Sequence, residues 1–230
     1  MPRKRRVLEP NRVYHVFNRR TDRQRLFPSR RAYRDFLELL EEGRRRYDVR
    51  ICSYCLMETH WHQSIWVRER DGATNVSKYL RWLECTHAVR FRCVSGTRGH
   101  GHVYQDRYQA VPVCTDWHYL ILVRYIEANP LVAGLVRRAE DWPWSSLSER
   151  LKGNRSILDP GPVVLPDDWP ELVNALQGRR SIPVGTEVGN LRDGGHRLKG
   201  RRSARAGTEV RPRRDGGRRA IATTSPTYRR

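Results

Sequence analysis

Residues 49–67, VRICSYCLMETHWHQSIWV, hold two β-rich runs with only Glu58 and Thr59 between them. So short a break leaves room for a tight turn and nothing more. The runs, 49–57 and 60–67, are therefore expected to form one antiparallel hairpin. Side chains alternate across a strand, so His60 and His62 share one face and Trp61 takes the other. Two imidazoles side by side on a rigid strand are half of a metal site. They are equally two polar groups on a hydrated sheet face, and the rest of the chain has to decide.

The segments around the hairpin extend the pattern. RVYHVFN at 12–18 is rich in β-branched and aromatic residues and reads as a strand. Ser29, after Pro28, can cap a helix running to about Arg46, with Tyr33, Phe36, Leu37 and Leu40 as its apolar stripe. Thr74 or Asn75 can cap a second helix with Val76, Tyr79, Leu80 and Leu83 on one side, broken by the loop SGTRGHGH. VYQDRYQAVPVC at 103–114 reads as a fourth strand. Asp116 caps a third helix through about Glu127, ended by Asn129-Pro130. VAGLVRR and DWPWSS are shorter elements.

The order β-α-β-β-α-β predicts an α+β fold: a ferredoxin-like antiparallel sheet with two helices on one face. The helix at 116–128 is then an addition to that fold. The expected domains are a basic arm at 1–11, a folded domain at 12–150, an extension at 151–177 that packs on or links from it, and a tail at 178–230.

Charge narrows the function. The chain carries 45 Lys and Arg against 25 Asp and Glu, and only Lys4, Lys78, Lys152 and Lys199 are lysines. Arginine's planar fork suits phosphate, so a net +20 dominated by arginine points to nucleic acid. A GC-rich gene would favour Arg over Lys without explaining the excess. The tail holds 15 Lys and Arg against 4 Asp and Glu and repeats itself. GRRSIPVGTEVGNLRDGG at 178–195 returns as GRRSARAGTEVRPRRDGG at 200–217. Neither copy has an apolar period, so the tail is expected to be disordered. No apolar run is long enough to span a membrane and no signal peptide is evident, so a cytoplasmic, nucleoid-associated protein with reduced thiols is expected.

Other motifs are weaker. His100-Gly101-His102 sits among glycines with no strand to hold it. Cys52 and Cys55 precede the histidine pair, but three positions apart on a regular strand they point to opposite faces, so they read as core residues rather than zinc ligands. In RYIEANPLVAGLV at 124–136, Tyr125 and Asn129 share a helical face. A tyrosine, ionising near pH ~10, is a poor nucleophile unless a metal polarises the electrophile. Asn129 could offer an amide oxygen to that metal, or the two could form a plain Tyr–Asn pair at a helix end.

YHVFNR, CLMETHWH, GHVYQDRYQAV, RYIEANPLVAGLV and DWPWSS occur in this order. Together the segments resemble the REP-associated tyrosine transposases, single-tyrosine members of the His-hydrophobic-His nucleases. The likeness covers roughly residues 12–150. Where that family usually has M-P-N-H-V-H-L-L, this chain has Met57 to Ser64, METHWHQS; both histidines stand, while Gln63 and Ser64 replace apolar residues.

The resemblance implies that His60, His62 and Asn129 bind Mg²⁺ or Mn²⁺. It implies that Tyr125 attacks single-stranded DNA through a 5′-phosphotyrosine intermediate, and that the substrate is a hairpin-forming repeat. Arg3, Lys4, Arg5, Arg6, Arg19, Arg20 and Arg107 are the candidate phosphate contacts. No membrane partner is expected, and the chain would act as monomer or homodimer. The rival readings are a non-catalytic nucleic-acid-binding protein on the same sheet, a zinc-stabilised structural protein, and a replication initiator or relaxase of the same superfamily.

Overall fold

The computed structural model describes residues 8–68, 70–99, 101–153 and 156–176. The basic arm before Leu8 and the duplicated tail lie outside the described residues.

Four strands form one antiparallel sheet: β1 (Arg12–Arg19), β2 (Arg50–Leu56), β3 (His60–Val67) and β4 (Gln109–Val113). Their spatial order is β2-β3-β1-β4, the ferredoxin-like arrangement expected from the element order. The hairpin expected across Glu58-Thr59 joins β2 to β3. β1 runs antiparallel to both β3 and β4, with His15 opposite Ser64 on one side and Val111 on the other.

Two helices cover one face. α1 (Arg30–Tyr47) starts where expected: Ser29 Oγ accepts a hydrogen bond from the Ala32 amide at 3.2 Å. It buries Tyr33, Phe36, Leu39 and Leu40. α2 (Arg70–Val94) buries Val76, Tyr79, Leu80 and Leu83, the predicted stripe. It begins at Arg70, before the Thr74 or Asn75 expected as its cap. Gly72 already lies against Val67 at the end of β3, so contact with the sheet starts the helix and overrides the local capping signal. The two helices meet closely at Gly43, where a Cβ would stand 2.5 Å from the Tyr79 ring and 2.7 Å from Trp82. Trp61 is fully buried on this side, with its ring centroid 6.2 Å from that of Phe36.

α3 (Asp116–Val132) covers the opposite face of β2 and β3. Its cap is Thr115, whose hydroxyl accepts from the His118 amide at 3.1 Å, rather than the expected Asp116. The helix also passes through Asn129-Pro130 instead of ending there. It closes at Gly134, which takes the left-handed conformation (φ 70°). Leu135 N donates to Pro130 O and Gly134 N to Leu131 O, the Schellman pattern.

The chain after α3 completes the fold. The short helices α4 (Ser146–Leu151) and α5 (Trp169–Asn174) pack on β2 and on α3 respectively. The outer edge of β2 is protected: Leu56 N donates to Trp144 O, and Asp159 N to Ile51 O. At the other edge, Pro112 in β4 removes a donor from the exposed rim. Among the described residues, no helix is long and apolar enough to cross a membrane.

One expectation failed for a local reason. β2 is irregular between Ile51 and Ser53, and the extra residue resets the alternation. Cys52 and Cys55 both join the core under α3, on the same face rather than opposite ones. They remain buried core residues, and burial pushes the Cys52 thiol up to about 12.

Candidate functional site

The face of β3 turned to α3 carries His60, His62 and Ser64, as strict alternation requires. His62 is fully buried and His60 half-buried at the strand's start. Their ring centroids lie 4.9 Å apart, nearly perpendicular. β1 adds a third imidazole beside them: His15 Nε2 and His62 Nδ1 share a hydrogen bond of 2.9 Å. The Phe17 ring lies tilted beside both, with its centroid 4.8 Å from that of His15 and 5.8 Å from that of His62.

Tyr125 reaches this group from α3. Its ring stands edge-on to His62 at 5.7 Å and to His15 at 5.8 Å. Two atoms in the cluster are buried without a hydrogen-bond partner, the Tyr125 hydroxyl and His62 Nε2. Buried polar atoms seldom stay unpaired, and these two orphans sit in neighbouring rings; Trp61 Nε1, Gln63 Nε2 and Arg92 Nε are the other unpartnered buried side-chain atoms among the described residues.

Asn129 is tied to the same helix face. Its Nδ2 donates to the Tyr125 carbonyl oxygen at 2.8 Å. A carbonyl can only accept, so the amide nitrogen must face it, and the amide oxygen is the atom left for other work.

Electrostatics keep the imidazoles neutral. Burial lowers His60 to about 4, helped by the charge of Arg19 across the strand pair. Burial holds His62 well below its usual range, with His60 and His15 adding to the effect. His15 falls to about 3, by burial first and then the nearby His118. Neutral imidazole is the form that ligates a metal. Tyr125 moves the other way, up to about 12, because burial disfavours the phenolate; Asn129 draws it partly back without forming a well-aligned bond to the hydroxyl.

By donor chemistry, two imidazoles and an amide oxygen are groups that could hold a divalent ion. Among the described residues, no group of three or more His, Cys, Asp or Glu side chains could hold one. Among these residues the further donors would be an amide oxygen, water or a phosphate oxygen; oxygen donors suit Mg²⁺ or Mn²⁺, and imidazole also suits zinc.

The two departures after the histidine pair are accommodated. Gln63 Oε1 accepts from the Tyr79 hydroxyl at 2.9 Å, and the hydroxyls of Ser64 and Ser53 share a bond of 2.7 Å. Gln63 Oε1 and the Ser64 hydroxyl thus have partners inside the sheet layers, while Gln63 Nε2 is buried without one.

The candidate phosphate contacts are scattered. Arg19 is exposed at the end of β1, opposite His60, with its Nε donating to Gln105. Arg20 is engaged: it pairs with Asp22 at 2.8 Å, donates to Arg25 O, and lies over the Phe91 ring. Arg107 lines a groove of about 750 Å³ with Lys78 and Arg81 on the α2 side of the sheet. Arg3, Lys4, Arg5 and Arg6 fall outside the described residues, as does His100. His102 is exposed in a loop where Gly99 and Gly101 have positive φ, so no strand supports it.

Sequence reasoning missed His15. Its only signal was the histidine inside YHVFN, and nothing local says that it meets a residue 47 positions away. Glu127 was also missed: it is a fully buried carboxylate on α3 that binds Ser146, Arg150 and Trp169.

Residues 10–129 match the family of IS200-like transposases. The structure of a REP-associated tyrosine transposase bound to a REP hairpin is similar at a TM-score of 0.52 and 20% identity, covering 73% of this chain and 95% of that one. A Deinococcus radiodurans R1 protein provisionally assigned as a transposase aligns at a TM-score of 0.37 and 14% identity, over 55% of this chain and 96% of that one. No curated protein matches the chain.

Proposed function

This chain belongs to the IS200-like transposase family, and from that membership we propose that it nicks and rejoins single-stranded DNA through Tyr125. One observation carries the assignment of residues. The Tyr125 hydroxyl and His62 Nε2 are both buried and unpartnered, in rings 5.7 Å apart.

His60 and His62, with the amide oxygen of Asn129, would hold Mg²⁺ or Mn²⁺, which supplies charge to draw electrons from the phosphate oxygens. The Tyr125 oxygen attacks phosphorus, forming a 5′-phosphotyrosine bond. The bond from phosphorus to the 3′ oxygen breaks, and that oxygen leaves as a hydroxyl, taking up a proton as the tyrosine loses one. A later 3′-hydroxyl attacks the tyrosine link and rejoins the strand. The phosphodiester energy is kept in the covalent link, so no ATP is needed. Burial pushes Tyr125 up to about 12, so in the free chain it stands as the neutral phenol. Tyr125 lies against the histidines of its own chain, which lets a single chain assemble the site.

The structurally similar transposase is bound to a REP hairpin, which supports hairpin-forming repeat DNA as the substrate. Arg19, beside His60, and Arg107, in the groove with Lys78 and Arg81, would hold phosphates. Arg20 would shape the end of β1 rather than meet DNA, since Asp22 already occupies its guanidinium. Arg3, Lys4, Arg5 and Arg6 would add contacts that do not read sequence.

The test is incubation with single-stranded hairpin DNA and Mn²⁺, then denaturing electrophoresis. A covalent protein–DNA band that disappears in Tyr125→Phe is expected. Hairpin binding with no adduct under any divalent ion would instead establish a non-catalytic DNA-binding protein.

A further inference from the structure

We propose that His15 is a positioning residue: its Nε2 accepts the proton on His62 Nδ1 and so leaves His62 Nε2 bare to bind the metal. This rests on the reading of His62 as a ligand.

The argument starts from one distance. His15 Nε2 and His62 Nδ1 are 2.9 Å apart, with room for a single proton between them. One nitrogen therefore donates and the other accepts. If His15 donated, the neutral His62 ring would carry its own proton on Nε2. That nitrogen is buried and has no partner, so an N–H there would be a donor stranded in the core without a hydrogen bond. If His62 donates, Nε2 holds a lone pair, which a cation can satisfy. The second arrangement turns the orphan into a ligand.

His15 is also held in place. It sits mid-strand on β1, between β3 and β4, where Ser64 and Val111 are its neighbours in register. Its ring stacks on His62 with centroids 5.1 Å apart and meets the edge of Tyr125 at 5.8 Å. One side chain thus touches both the proposed ligand and the proposed nucleophile without taking either role. A ligating histidine whose other nitrogen is fixed by an acceptor gains orientation and basicity; loss of such an acceptor commonly weakens metal affinity 10–100-fold (about that range).

The experiment has two parts. The first uses metal-free, full-length protein labelled with ¹⁵N at histidine. Long-range ¹H–¹⁵N correlation should show His62 protonated at Nδ1 and bare at Nε2, and His15 bare at Nε2. A His62 proton on Nε2 overturns the proposal. This reading needs no DNA or turnover, so it stands even if the chain never forms an adduct. The second part titrates Mn²⁺ alone into His15→Phe and His15→Gln. The phenyl ring keeps the stacking and removes the acceptor; the glutamine oxygen can restore it. Mn²⁺ affinity should fall roughly 10–100-fold in His15→Phe and recover at least partly in His15→Gln. Unchanged affinity in His15→Phe, or equal loss in both variants with fold intact by circular dichroism, overturns it.

Discussion

Trp169 Nε1 on α5 donates a 2.7 Å hydrogen bond to the carboxylate of Glu127, which is fully buried on α3 two residues beyond Tyr125. Ser146 Oγ at 2.5 Å and Arg150 Nε at 3.1 Å bind the other carboxylate oxygen. Arg150 also donates to the Cys52 carbonyl, so one carboxylate joins α3, α4, α5 and β2. A buried charge is tolerated only while such partners surround it. Trp169→Phe keeps the ring and removes one donor, and should cost roughly 1.5–3 kcal/mol in denaturant unfolding. Glu127→Ala strands Arg150 and should cost about 3–5 kcal/mol. If both variants unfold at the wild-type midpoint, the clamp does not hold the helix.

Tyr125→Phe should abolish the covalent adduct while leaving stability and hairpin binding near wild type. The hydroxyl removed has no hydrogen-bond partner in the fold, and the ring contacts with His15 and His62 survive. Wild-type adduct levels in this variant would transfer the role to another tyrosine, with Tyr119 the next candidate.

The two histidine pairs should behave differently. His60→Ala or His62→Ala should remove metal-dependent cleavage, because both sit on a paired strand beneath Tyr125. His100→Ala and His102→Ala should change cleavage little. The ranking can be read in one gel series at fixed Mn²⁺, and a reversed order would show that the glycine loop holds the ion.

Acid should destabilise the fold through its buried imidazoles. His87, on α2 with Tyr104 as its partner at 2.7 Å, is lowered to about 3 by burial, with Arg90 adding to it. Unfolded, it titrates near its ordinary 6.5. The unfolded chain therefore binds the extra proton as pH falls below 6.5, and stability is complete above that value. Between pH 6.5 and about 3 this one group should remove about 1.4 kcal/mol per pH unit. His87→Phe should flatten the decline of unfolding free energy between pH 6.5 and 4.5 by about that slope. An unaltered decline would place the proton uptake elsewhere.

Truncation at Gln177 removes 15 of the 45 Lys and Arg residues, and with them every arginine of the duplicated segment. The proposed ligands and nucleophile all precede residue 130, so adduct formation at saturating DNA should persist. Binding should weaken most at low salt, and the slope of affinity against salt should flatten, since fewer counterions are released. An unchanged slope would mean that the tail makes no phosphate contacts; loss of the adduct would place the tail in the active site.

The sequence by itself determined whatever depends on local spacing. The two-residue break at Glu58-Thr59 dictated the hairpin, and alternation alone put His60 and His62 on one face and Trp61 on the other. Ser29 before an apolar stripe marked the start of α1, and the four-residue interval put Tyr125 and Asn129 on one side of α3. Each rests on a repeat that a few neighbouring residues define. Tertiary structure decided what distant residues do to one another. Alternation cannot register the extra residue in β2, so Cys52 and Cys55 came to the same face. Packing kept α3 helical through Pro130, although the proline ring removes the amide that would have bonded the Ile126 carbonyl. His15 became the partner of His62, and Glu127 the anchor of α3, because the β1–β3 register and the return of α4 and α5 brought those groups together. Hydrogen bonds between groups tens of residues apart leave no periodic trace, so only the folded chain shows them.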